Sequence, residues 1–126
     1  MFLYQYKTTN DMKKSLLNQI PHDMVKNMSL YRLGIFGDSS YELVELSTEE
    51  DYPTHSHKNS SAIFYMVLGE GKIILNGKAK QYKPGDVITV GQNVKHGFKP
   101  ESDTLFLSVQ TPPIKDRKTG KEDIHF

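Results

Sequence analysis

From Ser29 onward this chain is a succession of short apolar-rich stretches separated by turn chemistry. The stretches are Tyr31–Phe36, Tyr41–Leu46, Ile63–Leu68, Lys72–Leu75, Val87–Val90 and Leu105–Val109. Between them fall Gly37-Asp38-Ser39, Gly69-Glu70-Gly71, Asn76-Gly77, Lys83-Pro84-Gly85-Asp86 and Gly91-Gln92-Asn93. Asn76-Gly77 is the sharpest of these signals, because a type I′ hairpin turn needs positive φ at both central residues. Many short strands with regularly spaced turns specify a sandwich or a barrel. The fold class is therefore all-β.

A chain of 126 residues makes one domain with room for a real core. Sixteen basic and fifteen acidic residues leave a formal charge of +1, so nothing points to nucleic acid or an anionic membrane as partner. The basic residues near the C-terminus, Lys115, Arg117, Lys118 and Lys121, alternate with Asp116, Glu122 and Asp123, which predicts a solvated tail. There is no cysteine, so disulfides, thiolate ligands and a cysteine nucleophile are excluded. Any metal must be held by nitrogen and oxygen. No apolar run approaches the length of a membrane span, and the start lacks the regions of a signal peptide. A cytoplasmic protein is the expectation.

Phe2 to Lys7 alternates apolar with polar residues and reads as a strand. Thr9-Asn10-Asp11 offers helix caps, and Met12, Leu16 and Ile20 then share a helical face until Pro21 ends it. One short helix over residues 11–20 is predicted, as a lid or docking element. The chain thus divides into an N-terminal strand and helix (1–28), a barrel (29–114) and a C-terminal tail (115–126). The aromatic strand and amphipathic helix further predict a homodimer.

The run His55-Ser56-His57 places two imidazoles two residues apart, on the same face of a strand. Imidazole is a common ligand for zinc, copper, iron and nickel. A third histidine from another strand would complete a three-nitrogen cap with positions left open for water or substrate. On its own, a His-x-His pair is a weak signal. His22, in a linker, and His125, next to last, read as surface histidines, and Glu70 as a solvated hairpin residue.

The segments around these histidines resemble the two motifs of small single-domain cupins. The first motif reads Gly-x5-His-x-His-x(3 or 4)-Glu-x6-Gly, and His55, His57 and Gly69 fall in register with it. The second reads Gly-x5-Pro-x-Gly-x2-His-x3-Asn, and Gly85 and His96 match. Fifteen residues separate Gly69 from Gly85, as in compact bacterial members. The departures are several. Glu49 replaces the leading glycine, and Ala62 or Ser61 falls where the ligand glutamate belongs. Gly91, Asn93 and Pro100 replace the proline, turn glycine and closing asparagine. Asn93 is a mild change, since asparagine tolerates the left-handed conformation.

The resemblance implies a double-stranded β-helix, a jelly-roll-like antiparallel barrel. It also implies a metal centre of His55, His57 and His96 holding one divalent ion, with Fe, Zn, Ni, Mn and Cu all compatible. Without a glutamate the ion keeps its full charge, a stronger Lewis acid held less tightly. Strand parity sets Ala62, Phe64 and Met66 on one pocket wall with no acid or base, and Gln110 at the end of the last strand is placed to orient a ligand. Tyr65 faces the other way, where its ring suits an edge or interface. The implied function is a metal-dependent dioxygenase, isomerase or lyase acting on a small polar metabolite. The alternative is a non-catalytic cupin that binds a small molecule or metal.

Overall fold

The computed structural model describes residues 17, 19–25, 28–48, 52–115 and 119–126. Its strands, in chain order, are β1 (Asp23–Val25), β2 (Met28–Phe36), β3 (Ser39–Leu46), β4 (Tyr52–His55), β5 (Ser61–Leu68), β6 (Gly71–Leu75), β7 (Lys78–Tyr82), β8 (Val87–Val90), β9 (His96–Pro100) and β10 (Thr104–Thr111). They form a six-stranded sheet, β1-β2-β3-β10-β5-β8, and a four-stranded sheet, β4-β9-β6-β7. Every pairing of these strands is antiparallel. The all-β, double-sheet architecture is the one expected from the strand and turn pattern.

Period-two alternation decides which side chains enter the space between the sheets. Val44 and Leu46 on β3, Ala62, Phe64 and Met66 on β5, and Ile73, Tyr82 and Phe98 from the smaller sheet are all buried in one cluster. Phe106 on β10 stands opposite both Val44 and Met66. Its ring lies 4.7 Å from that of Phe64 and 5.1 Å from that of Phe98, tying the two sheets together. Burial of each such side chain contributes about 1.5–3 kcal/mol, so this aromatic seam is the main support of the site above it.

The turns are as sharp as their residues require. Asn76 and Gly77 have φ of 47° and 82°, and the hairpin pairs Leu75 with Lys78. Asn93, where cupins carry glycine, takes the left-handed conformation at φ 62°. Its N–H donates to the His57 carbonyl at 2.7 Å, which fastens that turn to the histidine segment.

Four strands had no apolar run to announce them. β4 contains Pro53 and is an edge strand, the place where a missing N–H costs least. β9 carries His96, Gly97 and Pro100, and Gly97 is required because a Cβ there would lie 2.9 Å from Thr54 Oγ1. β7 is the other edge and is exposed except at Tyr82. β1 pairs with β2, and Met28 is buried in the core, so the barrel begins ahead of residue 29. The strand over 2–7 and the helix over 11–20 lie outside the described residues, apart from Leu17, Gln19 and Ile20. There Leu17 is buried on the outer face of the larger sheet with Tyr31 and Leu105. No helix among the described residues is long and apolar enough to cross a membrane.

Candidate metal centre

His55 ends β4 and His96 begins β9, and the two are cross-strand partners. His57 lies just past the strand, after Ser56, which bridges to His125. The ring centroids are 4.3 Å apart for His55 and His96, 5.1 Å for His57 and His96, and 5.2 Å for His55 and His57. One ring nitrogen from each lies within 4.8 Å of the others. Metal–nitrogen bonds of about 2.0–2.1 Å are reached from such a set by small ring movements.

The outer nitrogens are already spoken for. His55 Nδ1 meets the Pro53 carbonyl at 3.2 Å, His57 Nδ1 the Asp123 carbonyl at 2.6 Å, and His96 Nδ1 the Val94 carbonyl at 3.0 Å. A carbonyl only accepts, so each Nδ1 carries the proton and each Nε2 keeps its lone pair for a metal. All three rings are buried, and His96 Nε2 has no hydrogen-bond partner. Burial is also the chief force on their protonation. It lowers His55 to about 4 and His96 to about 3, and holds His57 below its ordinary value. At neutral pH the cluster is three uncharged imidazoles, the form that ligates.

Beside the rings is a cavity of about 40 Å³. Phe64 and Gln110 line it; Ala62 and Met66, expected on the same wall, are buried but do not. The β5 wall has no acid, as expected, but the facing strand β3 brings Glu42 to the cavity. Its β3 face carries Ser40, Glu42, Val44 and Leu46 inward, whereas the eye is drawn to Tyr41 and Leu43, which face outward. A carboxylate in phase with Val44 and Leu46 is the signal that was there to read.

Glu42 is only 8% exposed and is held by neighbours rather than by water. Gln110 Nε2 donates to Glu42 at 2.9 Å and to Ser108 Oγ at 2.6 Å, while Ser40 Oγ donates to Gln110 Oε1. Arg32 meets Glu42 at 3.1 Å, Asp23 at 2.9 Å and Glu122 at 2.6 Å. Burial pushes the Glu42 carboxyl up, and Arg32 and Gln110 oppose that rise. Gln110 is thus an orienting residue for the carboxylate on the cavity wall.

Lys115, Lys121 and Glu122 are exposed, as a solvated tail requires, but Asp123 is not free in solvent. Asp123 accepts the main-chain N–H groups of Lys58, Asn59 and Ser60, and these bonds explain why a charged segment is docked. Burial would raise the Asp123 carboxyl, but the N–H groups of Asn59, Lys58 and Ser60 together with His125 outweigh it and hold it down at about 2. His22 and Glu70 are exposed, as expected, and the side chain of His125 is 40% exposed.

Solved structures share this architecture. KdgF from Halomonas sp. superposes with a TM-score of 0.66 at 21% identity, covering 75% of this chain and 88% of its own. Ectoine synthase from P. lautus gives a TM-score of 0.66 at 22% identity, covering 77% of this chain and 75% of its own. The salicylate 1,2-dioxygenase from Pseudoaminobacter salicylatoxidans, complexed with gentisate, gives 0.66 at 16% identity, covering 79% of this chain but 30% of its own. At these identities the likeness is one of fold alone. No curated protein sequence matches the chain. The Cupin domain model, however, matches residues 42–109, which run from within β3 to within β10 and include all three histidines, and the chain belongs to the cupin family.

Proposed function

We propose that this cupin holds one divalent metal ion on His55, His57 and His96 and acts on a small polar metabolite as a dioxygenase, isomerase or lyase. The observation that carries the reading is the orphaned Nε2 of His96, buried without a partner among two further imidazoles. A buried nitrogen lone pair left empty costs about 1–3 kcal/mol, a penalty that a metal bond removes. When bound, the ion supplies Lewis acidity with its charge uncancelled by any carboxylate ligand. The chain's own residues do the rest. The carbonyls of Pro53, Asp123 and Val94 fix the three tautomers. Phe64, Phe98 and Phe106 give the cavity an apolar side, and Glu42 offers a carboxylate to accept or return a proton on its wall. The neighbours of like fold, a synthase and a dioxygenase among them, support a small-molecule activity.

Metal analysis of untagged protein tests this directly, after incubation with iron, zinc, nickel, manganese and copper. Wild type is expected to retain one ion per chain and His96→Ala none. A metal-free wild type would remove the enzyme reading and leave a non-catalytic binding cupin. The same proposal includes a homodimer, supported by exposed apolar side chains on the outer face of β5 and β8.

A further inference from the structure

The segment Asp123–Phe126 closes the histidine cavity through an ordered set of bonds. Ser56 N–H donates to the His125 carbonyl at 2.8 Å, and His125 N–H donates to the Ser56 carbonyl at 2.9 Å. The segment therefore lies antiparallel against His55–His57, like one more strand. Asp123 anchors its start. Its carbonyl accepts from His57 Nδ1 at 2.6 Å, and its carboxylate accepts from the N–H groups of Lys58, Asn59 and Ser60 at 2.9, 2.7 and 3.1 Å. The Phe126 ring then lies 5.5 Å from that of His55.

Alternation along this short strand separates two spaces. Ile124 lines the inner cavity with His55 and His57, whereas Asp123 and His125 line an outer cleft of about 630 Å³. The inner cavity, about 40 Å³, has room for water and little else. Sites for small organic ligands run to about 300–1,000 Å³, the scale of the outer cleft. A metabolite fits outside the segment and not inside it.

We propose that Asp123–Phe126 is a strap, latched by Asp123, that positions His57 and must swing aside before any molecule larger than water reaches the histidines from the outer cleft. What the strap guards depends on the metal reading above; that it is a latched strap does not. Asp123 is a positioning residue, acting on the centre through His57, and the outer cleft is the vestibule of the cavity.

Hydrogen exchange and imidazole ¹⁵N spectra of the metal-free full-length chain test the latch. In wild type, the amides of Ser56, Lys58, Asn59 and Ser60 are expected to be protected and His57 to carry its proton on Nδ1. Asp123→Ala should speed exchange at those amides about tenfold or more, while core amides such as Phe106 keep theirs. Equal exchange at Ser56 to Ser60 in wild type and variant would overturn the proposal. If Asp123→Ala fails to fold, Ile124→Gly, which keeps the latch but removes the inward side chain, takes its place in the second arm.

That arm uses cobalt(II) as the probe and follows its removal by a chelator. Both variants should lose the ion about tenfold faster than wild type, because the strap shields it. Cobalt that binds wild type and leaves all three proteins at one rate would overturn the gate. A wild type that binds no cobalt would instead sink the metal reading, and the exchange experiment would still decide the latch.

Discussion

Desolvation, more than any charged neighbour, sets the behaviour of the three histidines. Their depressed pKa values make the metal-free protein acid-sensitive in a definite window. Unfolded, each titrates near 6.5; folded, His55 titrates near 4 and His96 near 3. Between those limits the unfolded chain binds more protons, so stability is full above pH 6.5 and falls as pH drops. The loss is on the order of 1.4 kcal/mol per pH unit for each histidine. Thermal melts of the metal-free protein from pH 7.5 to 4.5 should show this slope, and His96→Asn should flatten it. A wild-type midpoint that does not move with pH would contradict the burial argument. The same shift places the expected window for metal release: competition from protons sets in near the folded pKa values, below the pH 6.5 of a free imidazole. At Glu42 burial again leads, raising the carboxyl, and Arg32 and Gln110 oppose it. Glu42→Ala leaves Arg32 with Asp23 and Glu122 but takes from Gln110 Nε2 one of its two acceptors on the cavity wall, which should cost about 1–3 kcal/mol in urea unfolding.

At the scale of elements, the motif glycines separate into two physical kinds. Gly69 has φ +93°, and a Cβ there would lie 2.2 Å from the Asp103 carbonyl oxygen, in the crossing from β5 to β6. Gly85 has nearly the same φ, +92°, but open space around it. Gly69→Ala should therefore cost about 3 kcal/mol or more, against about 1 kcal/mol for Gly85→Ala. Denaturant midpoints of the two variants settle it, and equal losses would mean that the close approach carries no weight. The contrast also shows what sequence can hold. Strands with an apolar face, such as β5 and β10, announce themselves by alternation, and Asn76-Gly77 announces its hairpin. β4 and β9 do not, because proline, glycine and histidine sit where apolar residues would signal a strand; that His55 and His96 would meet was legible only through the motif spacing. The strap was illegible for a different reason. Asp123 meets His57 across 66 positions of chain, and such a long-range bond leaves no local pattern.

Across the whole molecule, each sheet face needs an account of its cover. The inner faces cover one another, and Leu17 covers part of the outer face of the larger sheet near Tyr31 and Leu105. Farther along that face the register aligns Tyr65 with Val87 on one side and with Leu107 on the other. Tyr65, Val67 and Val87 are 41%, 46% and 55% exposed, a run of apolar side chains at the β8 end of the sheet. Scattered exposed apolar residues need no explanation, but neighbours on two paired strands form a patch. A second copy of this chain is the occupant we propose, because a two-fold contact lets one patch cover its own duplicate and a formal charge of +1 offers little repulsion between copies. Light scattering at tens of micromolar should give twice the chain's 14.4 kDa. Val87→Glu should shift that mass toward one chain without lowering metal content, since residue 87 points away from the histidine cavity. A monomeric wild type would discard the dimer and leave the centre, the strap and the barrel as they stand.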